Sequence, residues 1–307
     1  MAPVSDDWKV VVILNSLSSK KKFFYRKILP SISAVLSTEV VETQSSDDAI
    51  SLASKAVESG ASAIFAAGGD GTLHQVVNGV LKGREGNTVL PAIGLLPIGS
   101  ANDFARTLNL GLDPEKIKRL LVEFNPKPVD VGKATFLNGE NSQPHYFINI
   151  SDTGMGPDVA EYMNGGNKIF GSAIAYYSGI LKTFLTYVPK EVQVKTEEWS
   201  WSGKIRSLAI ANGKYFGHGL CIAPEAKIED GIFSVFIVED ISVFDFIRYS
   251  ETLKKGKMVI HPKVHYRHAT KIEISSSEQL MMEADGELMG QLPVRVEVLP
   301  KRLSFLY

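Results

Sequence analysis

The segment Gly68-Gly69-Asp70-Gly71-Thr72 constrains this 307-residue chain more than any other. It stands directly after a short apolar run, 63–67, and directly before 73–81, whose apolar residues recur at helical spacing. The pattern predicts a strand, a glycine turn and a helix. Glycine admits positive φ and lets a ligand approach bare backbone. Backbone N–H groups in such a turn, with a helix dipole behind them, favour a phosphate. Thr72 can cap the helix or bond a phosphate oxygen. Taken alone, the segment also reads as a plain tight turn with Asp70 capping the helix. It is not a P-loop, and Gly69-Asp70-Gly71 does not extend to Gly-x-Gly-x-x-Gly, because His74 takes the last place.

Strands and helices alternate around this turn. Residues 10–14 form a β-branched run that ends in the polar loop Asn15-Ser16-Leu17-Ser18-Ser19; 23–36 has helical spacing, and 38–43 reads as a second strand. Residues 47–59 follow as a helix with Asp47 as N-cap and Gly60 as its stop. Residues 92–96 give another strand, and 102–108 the start of another helix. That alternation predicts a Rossmann-like parallel sheet with crossover helices. Beyond Asp130, 146–150, 191–196, 204–211, 233–238, 271–275 and 294–299 are strand-like, and only 172–187 and 242–254 read as good helices. Successive strands predict a sandwich-like or barrel-like domain. The expected fold class is α/β plus β: an α/β domain over 1–130, a β-rich domain over 131–301, and 302–307 as a strand returning to the first domain.

A second loop, Leu96-Pro97-Ile98-Gly99-Ser100-Ala101-Asn102-Asp103-Phe104-Ala105-Arg106, also follows a strand and opens a helix. Loops at the carboxyl ends of neighbouring parallel strands converge on one crevice. This loop and the glycine turn should therefore face one ligand. Ser100 and Asn102 can bond phosphate or ribose, or serve as helix caps.

The formal net charge is −1, so no global basic field exists to hold nucleic acid or an anionic membrane. Any membrane contact must come from a local patch. Lys20-Lys21-Lys22 with Arg26, Lys27 and the neighbouring Phe23, Phe24 and Tyr25 is one candidate; a solvated helix face is the plainer reading. Cys221 is the only cysteine, which rules out an intramolecular disulfide and fits a reducing, cytoplasmic setting. Residues 1–7 lack a signal-peptide pattern. The most apolar stretch, 172–188, is broken by Lys182 and falls short of the roughly 20 residues a spanning helix needs. Its Ile174, Tyr176, Tyr177, Ile180, Leu181, Phe184 and Leu185 suit a core helix or the wall of an acyl crevice.

The two loops recur with Phe147-Ile148-Asn149-Ile150 and Gly154-Met155-Gly156, then with Asn212-Gly213-Lys214-Tyr215-Phe216-Gly217-His218-Gly219. Ala223-Pro224-Glu225-Ala226 with Asp230-Gly231 comes next, and Asp285-Gly286-Glu287 last. In order and spacing this set resembles the diacylglycerol kinase catalytic-domain family, which includes bacterial lipid kinases related to sphingosine, ceramide and NAD kinases. The resemblance implies a nucleotide-binding first domain and a lipid-binding, catalytic second one. It implies ATP held by Asn15, Ser16, Ser18, Ser19, Thr43, Gly68, Gly69, Asp70, Gly71, Thr72, Ser100 and Asn102. It further implies a structural Mg²⁺ held by the Asp230 carboxylate and the backbone carbonyls of Lys227 and Ile232. Family members usually carry Asn-Pro-x-Ser-Gly where this chain has Asn15–Ser19, and Gly-Thr where it has Gly99-Ser100. Losing Pro and Gly leaves the first loop less preorganised.

Phosphoryl transfer needs neutralised charge, in-line positioning and an oriented hydroxyl. Asp70 and Asp285 are the carboxylates expected near a phosphate-bridging Mg²⁺. Glu287 is the expected general base, with Asp285 as close alternative and Asp70 as a third candidate. Asp285-Gly286 is also an ordinary hairpin-turn signal. The expectation is an ATP- and Mg²⁺-dependent lipid kinase, cytoplasmic and peripheral at a membrane, with a diacylglycerol-like acceptor and no nucleic-acid partner. Its oligomeric state is left open, a homo-oligomer included. A soluble kinase of the NAD-kinase type and a non-catalytic nucleotide or lipid binder are the alternatives.

Overall fold

The computed structural model describes residues 8–45, 47–84, 89–138, 143–164 and 172–307, with backbone alone for 163–164 and 172–177. The N-terminal residues 1–7 and the side chains of Ile174, Tyr176 and Tyr177 lie outside the described residues. The chain divides into two compact units, Met1–Val129 with Lys301–Tyr307, and Asp130–Pro300.

In the first unit β1 (Lys9–Leu14), β2 (Ser37–Glu42), β3 (Ala63–Gly68) and β4 (Ala92–Pro97) pair in parallel in the order β2-β1-β3-β4. The register sets Val12 beside Val40 on one side and beside Phe65 on the other. β3 and β4 are buried at every position, because crossover helices cover both faces of a parallel sheet. Two of these helices, Asp48–Glu58 and Asp70–Leu81, pack so closely that a Cβ on Gly79 would lie 2.2 Å from the Ile50 carbonyl oxygen. The C-terminal Phe305 and Leu306 pair in parallel with Ile93 and Gly94. Phe305 also meets Phe104 edge-on at 5.6 Å.

The second unit is mainly antiparallel. Its strands are β5 (Lys127–Phe136), β6 (His145–Phe147), β7 (Ile150–Gly154), β8 (Lys190–Lys195), β9 (Ser200–Ala211), β10 (Tyr215–Phe216) and β11 (Leu220–Cys221). β12 (Phe233–Glu239), β13 (Val264–Ala269), β14 (Lys271–Ser275), β15 (Met281–Ala284), β16 (Glu287–Gln291) and β17 (Val294–Leu306) complete the set. β5 and β17 run across the division between the units. The path is β16-β15-β7-β9-β8-β14-β17, with β12 joining β9 to β13. Side chains alternate strictly. Leu208, Ile210, Val235 and Ile237 enter one core, and Ala209, Ala211, Phe236 and Val238 enter another on the opposite face. Helices Ser172–Thr186 and Val243–Lys254 close the second core with Ile180, Phe184, Phe246 and Leu253.

Several local expectations change. Residues 146–150 split into β6 and β7, because the N–H groups of Ile148 and Asn149 turn to the Asp285 carboxylate instead of a strand. Asp47 makes no side-chain cap; Asp48 accepts from the Gln44 and Ser45 amides instead, at 2.5 and 2.8 Å. Helices Pro114–Glu123 and Gly156–Asn164, and the strands β13, β15 and β16, add to the predicted set. Residues 23–36 contain a π-helical turn, Phe24–Ile28.

Candidate active site

In the first unit the carboxyl ends of four neighbouring strands are stitched together. The glycine turn begins at the end of β3, and Asp70 opens the helix that follows. The Asp70 carboxylate accepts the backbone N–H groups of Asp103 (3.1 Å) and Phe104 (3.0 Å). It therefore supplies the N-terminal cap of helix Asp103–Thr107 from 33 residues away. Asn102, which precedes that helix, takes left-handed backbone (φ 53°) and makes no cap itself. Its Nδ2 donates to the carbonyls of Pro97 (3.3 Å) and Gly99 (2.9 Å), closing the second loop on itself.

Gly69 and Gly99 meet backbone to backbone. A Cβ on Gly99 would lie 2.3 Å from the Gly69 Cα, so a side chain here would force the loops apart. The Gly99 N–H donates to the Gly68 carbonyl at 3.0 Å. The first loop joins the same edge. Asn15 Nδ2 donates to Thr72 Oγ1 (3.3 Å), Ser18 Oγ to the Ile98 carbonyl (2.7 Å), and the Ser16 N–H to Thr43 Oγ1 (3.3 Å). Asn15, Ser16, Ser18, Thr43, Gly68–Thr72 and Asn102 thus gather on one edge of one sheet. Beside them Ser18, Ser19, Lys22 and Arg26 line an open basic depression. Lys21, which shares it, is paired with Glu42 at 2.5 Å. Helix N-termini and small-residue loops of this kind suit an anionic ligand.

In the second unit Asp285 (φ 53°) and Gly286 (φ 92°) form the two-residue turn between β15 and β16, so the hairpin reading of this segment holds. The buried Asp285 carboxylate accepts three amides: Ile148 (3.1 Å), Asn149 (3.0 Å) and Ile150 (3.1 Å). Asn212 Nδ2 donates to the Ile148 carbonyl at 2.7 Å, and its N–H donates to the Asn149 carbonyl at 2.9 Å. The motifs 147–150, 212–213 and 285–287 therefore interlock. Glu287, half-buried, is the first residue after the turn.

Lys227, Asp230 and Ile232 line one open depression, together with Glu225 and His268. Gly231 takes positive φ (76°), and its N–H reaches Asp130 Oδ2 at 2.7 Å, which fixes the Asp230 turn. The exposed Asp230 carboxylate, with Glu225 in the same depression, offers hard oxygen donors of the kind Mg²⁺ accepts. Among the described residues no three His, Cys, Asp or Glu side chains gather as a metal-holding group.

Three features of the second unit carry no sequence motif. A cavity of about 110 Å³ lies between the sheet and its two covering helices, walled by Met155, Ile180, Phe184, Phe236 and Phe246. Arg206 borders it, stacked on the Phe184 ring at 4.2 Å and bonded to Asp240 at 2.7 Å. Asp152 borders it too and is 1% exposed. Burial pushes the Asp152 carboxyl up to about 7, against the opposing bond from Ser207 Oγ at 2.6 Å. Directly across the strand pair stands Glu283, also 1% exposed, and burial pushes it well above the usual carboxylate range. A polar residue at a core-facing position of an alternating strand was the only available signal.

The diacylglycerol kinase catalytic domain model matches residues 9–134, and the YegS C-terminal NAD kinase beta sandwich-like domain model matches 150–307. A protein of Staphylococcus carnosus (strain TM300) named diacylglycerol kinase is 30% identical over 92% of this chain and 89% of its own length. A protein of Xanthomonas euvesicatoria pv. vesicatoria (strain 85-10), named "Probable lipid kinase YegS-like", is 31% identical over 99% of this chain and 96% of its own. A crystal structure of a diacylglycerol kinase from Bacillus anthracis str. Sterne superposes with a TM-score of 0.72 at 21% identity. That superposition covers 97% of this chain and 96% of the other, and bears on the fold.

Proposed function

The chain belongs to the diacylglycerol kinase catalytic-domain family and is a lipid kinase; from that premise we propose that it transfers the γ-phosphoryl group of ATP to the hydroxyl of a diacylglycerol-like lipid. The observation that carries the reading is the closure of the glycine turn onto the 97–102 loop through Asp70. Backbone amides at that edge, with Lys22 and Arg26 beside them, suit the ATP phosphates. Asp70 keeps both loops in the shape that receives them.

Mg²⁺ would neutralise developing charge on the phosphate oxygens, and the Asp230 turn would hold a structural ion through its carboxylate and neighbouring carbonyls. Glu287 accepts the proton of the lipid hydroxyl. Asp285, committed to three backbone amides, shapes the turn that presents Glu287. The apolar cavity of the second unit receives part of an acyl chain, since apolar cavities of this order take small apolar groups.

Peripheral contact with a membrane belongs to the same reading. Phe244 and Ile247 project 73% and 55% exposed from helix Val243–Lys254, whose other face borders the cavity, and Arg248, Lys254 and Lys255 follow in sequence. No helix among the described residues is long and apolar enough to cross a membrane. The test is an assay with labelled ATP and Mg²⁺ against diacylglycerol, monoacylglycerol, phosphatidylglycerol and sphingoid micelles, with NAD as a soluble acceptor. Label in lipid supports the reading. Label only in NAD replaces it with a nucleotide kinase, and no turnover with any acceptor leaves a binder.

A further inference from the structure

The turn that carries Asp285 and Glu287 is gripped from two sides. On one side, the Asp285 carboxylate collects three amides from 148–150. On the other, Glu283 Oε2 accepts the Gly286 N–H at 2.7 Å. Glu283 lies in β15 at a register shift in the β15–β16 ladder, between Met282 and Glu283. Bulges of this kind re-aim side chains and recur beside functional sites. The extra residue of this bulge is Met289 on β16, so the strand that leaves the turn is bent just beyond Glu287, while Glu283 keeps its register with Asp152 on β7. A glutamate fully buried for no purpose is costly, and an apolar residue would serve the core better. The bond to Gly286 is the only hydrogen bond to this carboxyl among the described residues, and Oε1 has no partner.

Asp152 stands opposite on β7, its own Oδ1 likewise buried without a partner. The Gly286 N–H donates to one oxygen of the Glu283 carboxyl, and that bond needs an acceptor whatever the charge. What the turn requires of position 283 is an acceptor of this reach, not a negative charge.

We infer that Glu283 is a positioning residue for phosphoryl transfer: by accepting the Gly286 N–H it sets the conformation of the Asp285-Gly286-Glu287 turn and so aims the Glu287 carboxylate. The inference rests on the proposed role of Glu287, and its structural half stands apart from that role. Gln keeps an uncharged acceptor at nearly the same reach, whereas Leu keeps the volume and removes the acceptor. A misplacement of about 1 Å at a reacting group costs on the order of 10²-fold in rate.

The experiment compares wild type, Glu283→Gln and Glu283→Leu in two readouts on the full chain. One is steady-state phosphorylation of diacylglycerol micelles; the other is hydrogen–deuterium exchange of the peptide that spans the turn. For Glu283→Leu, kcat should fall ~10²-fold with the KM for ATP unchanged, and exchange at the turn should rise. Glu283→Gln should stay within about threefold of wild type in both, which separates positioning from charge. A Glu283→Leu enzyme with wild-type kcat, or a Glu283→Gln enzyme as impaired as Glu283→Leu, overturns the inference. Unchanged exchange in Glu283→Leu overturns it as well, even where the wild type phosphorylates no lipid. A wild type that phosphorylates no lipid, with exchange at the turn still raised in Glu283→Leu, would remove the lipid-kinase reading and leave the grip on the turn.

Discussion

Replacing Asp152 by Asn should change how the stability of the second unit depends on pH. The ordinary carboxyl value of 3.8 is raised to about 7 for Asp152 by burial. In that interval the folded chain binds a proton that the unfolded chain has released. Stability therefore falls as pH rises through the window and, so far as Asp152 is concerned, levels off above it. At ~1.4 kcal/mol per pH unit the whole interval is worth about 4 kcal/mol, of which about 3 falls between pH 5 and pH 7. Asn cannot ionise, and its amide oxygen can still accept the Ser207 hydroxyl that now reaches Oδ2. Relative to wild type, Asp152→Asn should therefore gain about 3 kcal/mol between pH ~5 and pH ~8. Urea unfolding followed by tryptophan fluorescence measures this, since Trp199 and Trp201 both pack against the core of the second unit. Wild type and variant falling in parallel across this range would refute the reasoning, because the buried carboxyl would then carry no linked proton.

Three further outcomes follow from the first unit and the exposed helix. Gly99→Ala places a Cβ 2.3 Å from the Gly69 Cα, so thermal unfolding should show a loss of about 1–3 kcal/mol and titration a weakened ATP affinity. Asp70→Asn keeps one acceptor for the two amides of Asp103 and Phe104; a charge-assisted bond worth ~1.5–3 kcal/mol is lost, and ATP affinity should drop ~10–100-fold by calorimetry. Replacing Phe244 and Ile247 together by Ser removes two exposed apolar side chains at ~1.5–3 kcal/mol each if buried in lipid, so cosedimentation with anionic vesicles should weaken at least ~10²-fold.

The parallel sheet was readable because β1, β3 and β4 are short, uninterrupted apolar runs, and a strand covered on both faces leaves that mark. β13 was missed for the opposite reason: Val264–Ala269 contains His265, Arg267 and His268 and, among the described residues, pairs only with β12. Residues 281–291 hide their hairpin behind the bulge at Met289, which breaks simple alternation in β16. The glycine turn was legible as the link between a strand and a helix, but the direction of the Asp70 carboxylate was not. Its partners lie 33 and 34 residues away, and no local pattern reports such a bond. Asp285 is similar, because its three amides lie 135 to 137 residues back along the chain. The acid pair Asp152–Glu283 and the apolar cavity exist only through strand register and helix packing, so they emerge in three dimensions alone.

The most direct test of the central claim is the appearance of labelled phosphate in lipid. Purified protein is incubated with γ-labelled ATP, Mg²⁺ and diacylglycerol micelles, beside Glu287→Gln at equal concentration, with ATP binding measured on both. The account predicts labelled phospholipid from wild type, a rate lower by ~10²–10⁴-fold in Glu287→Gln, and ATP affinities within a few-fold of each other. Unlabelled lipid with wild type across the acceptor panel, or equal labelling by the two proteins, would contradict it.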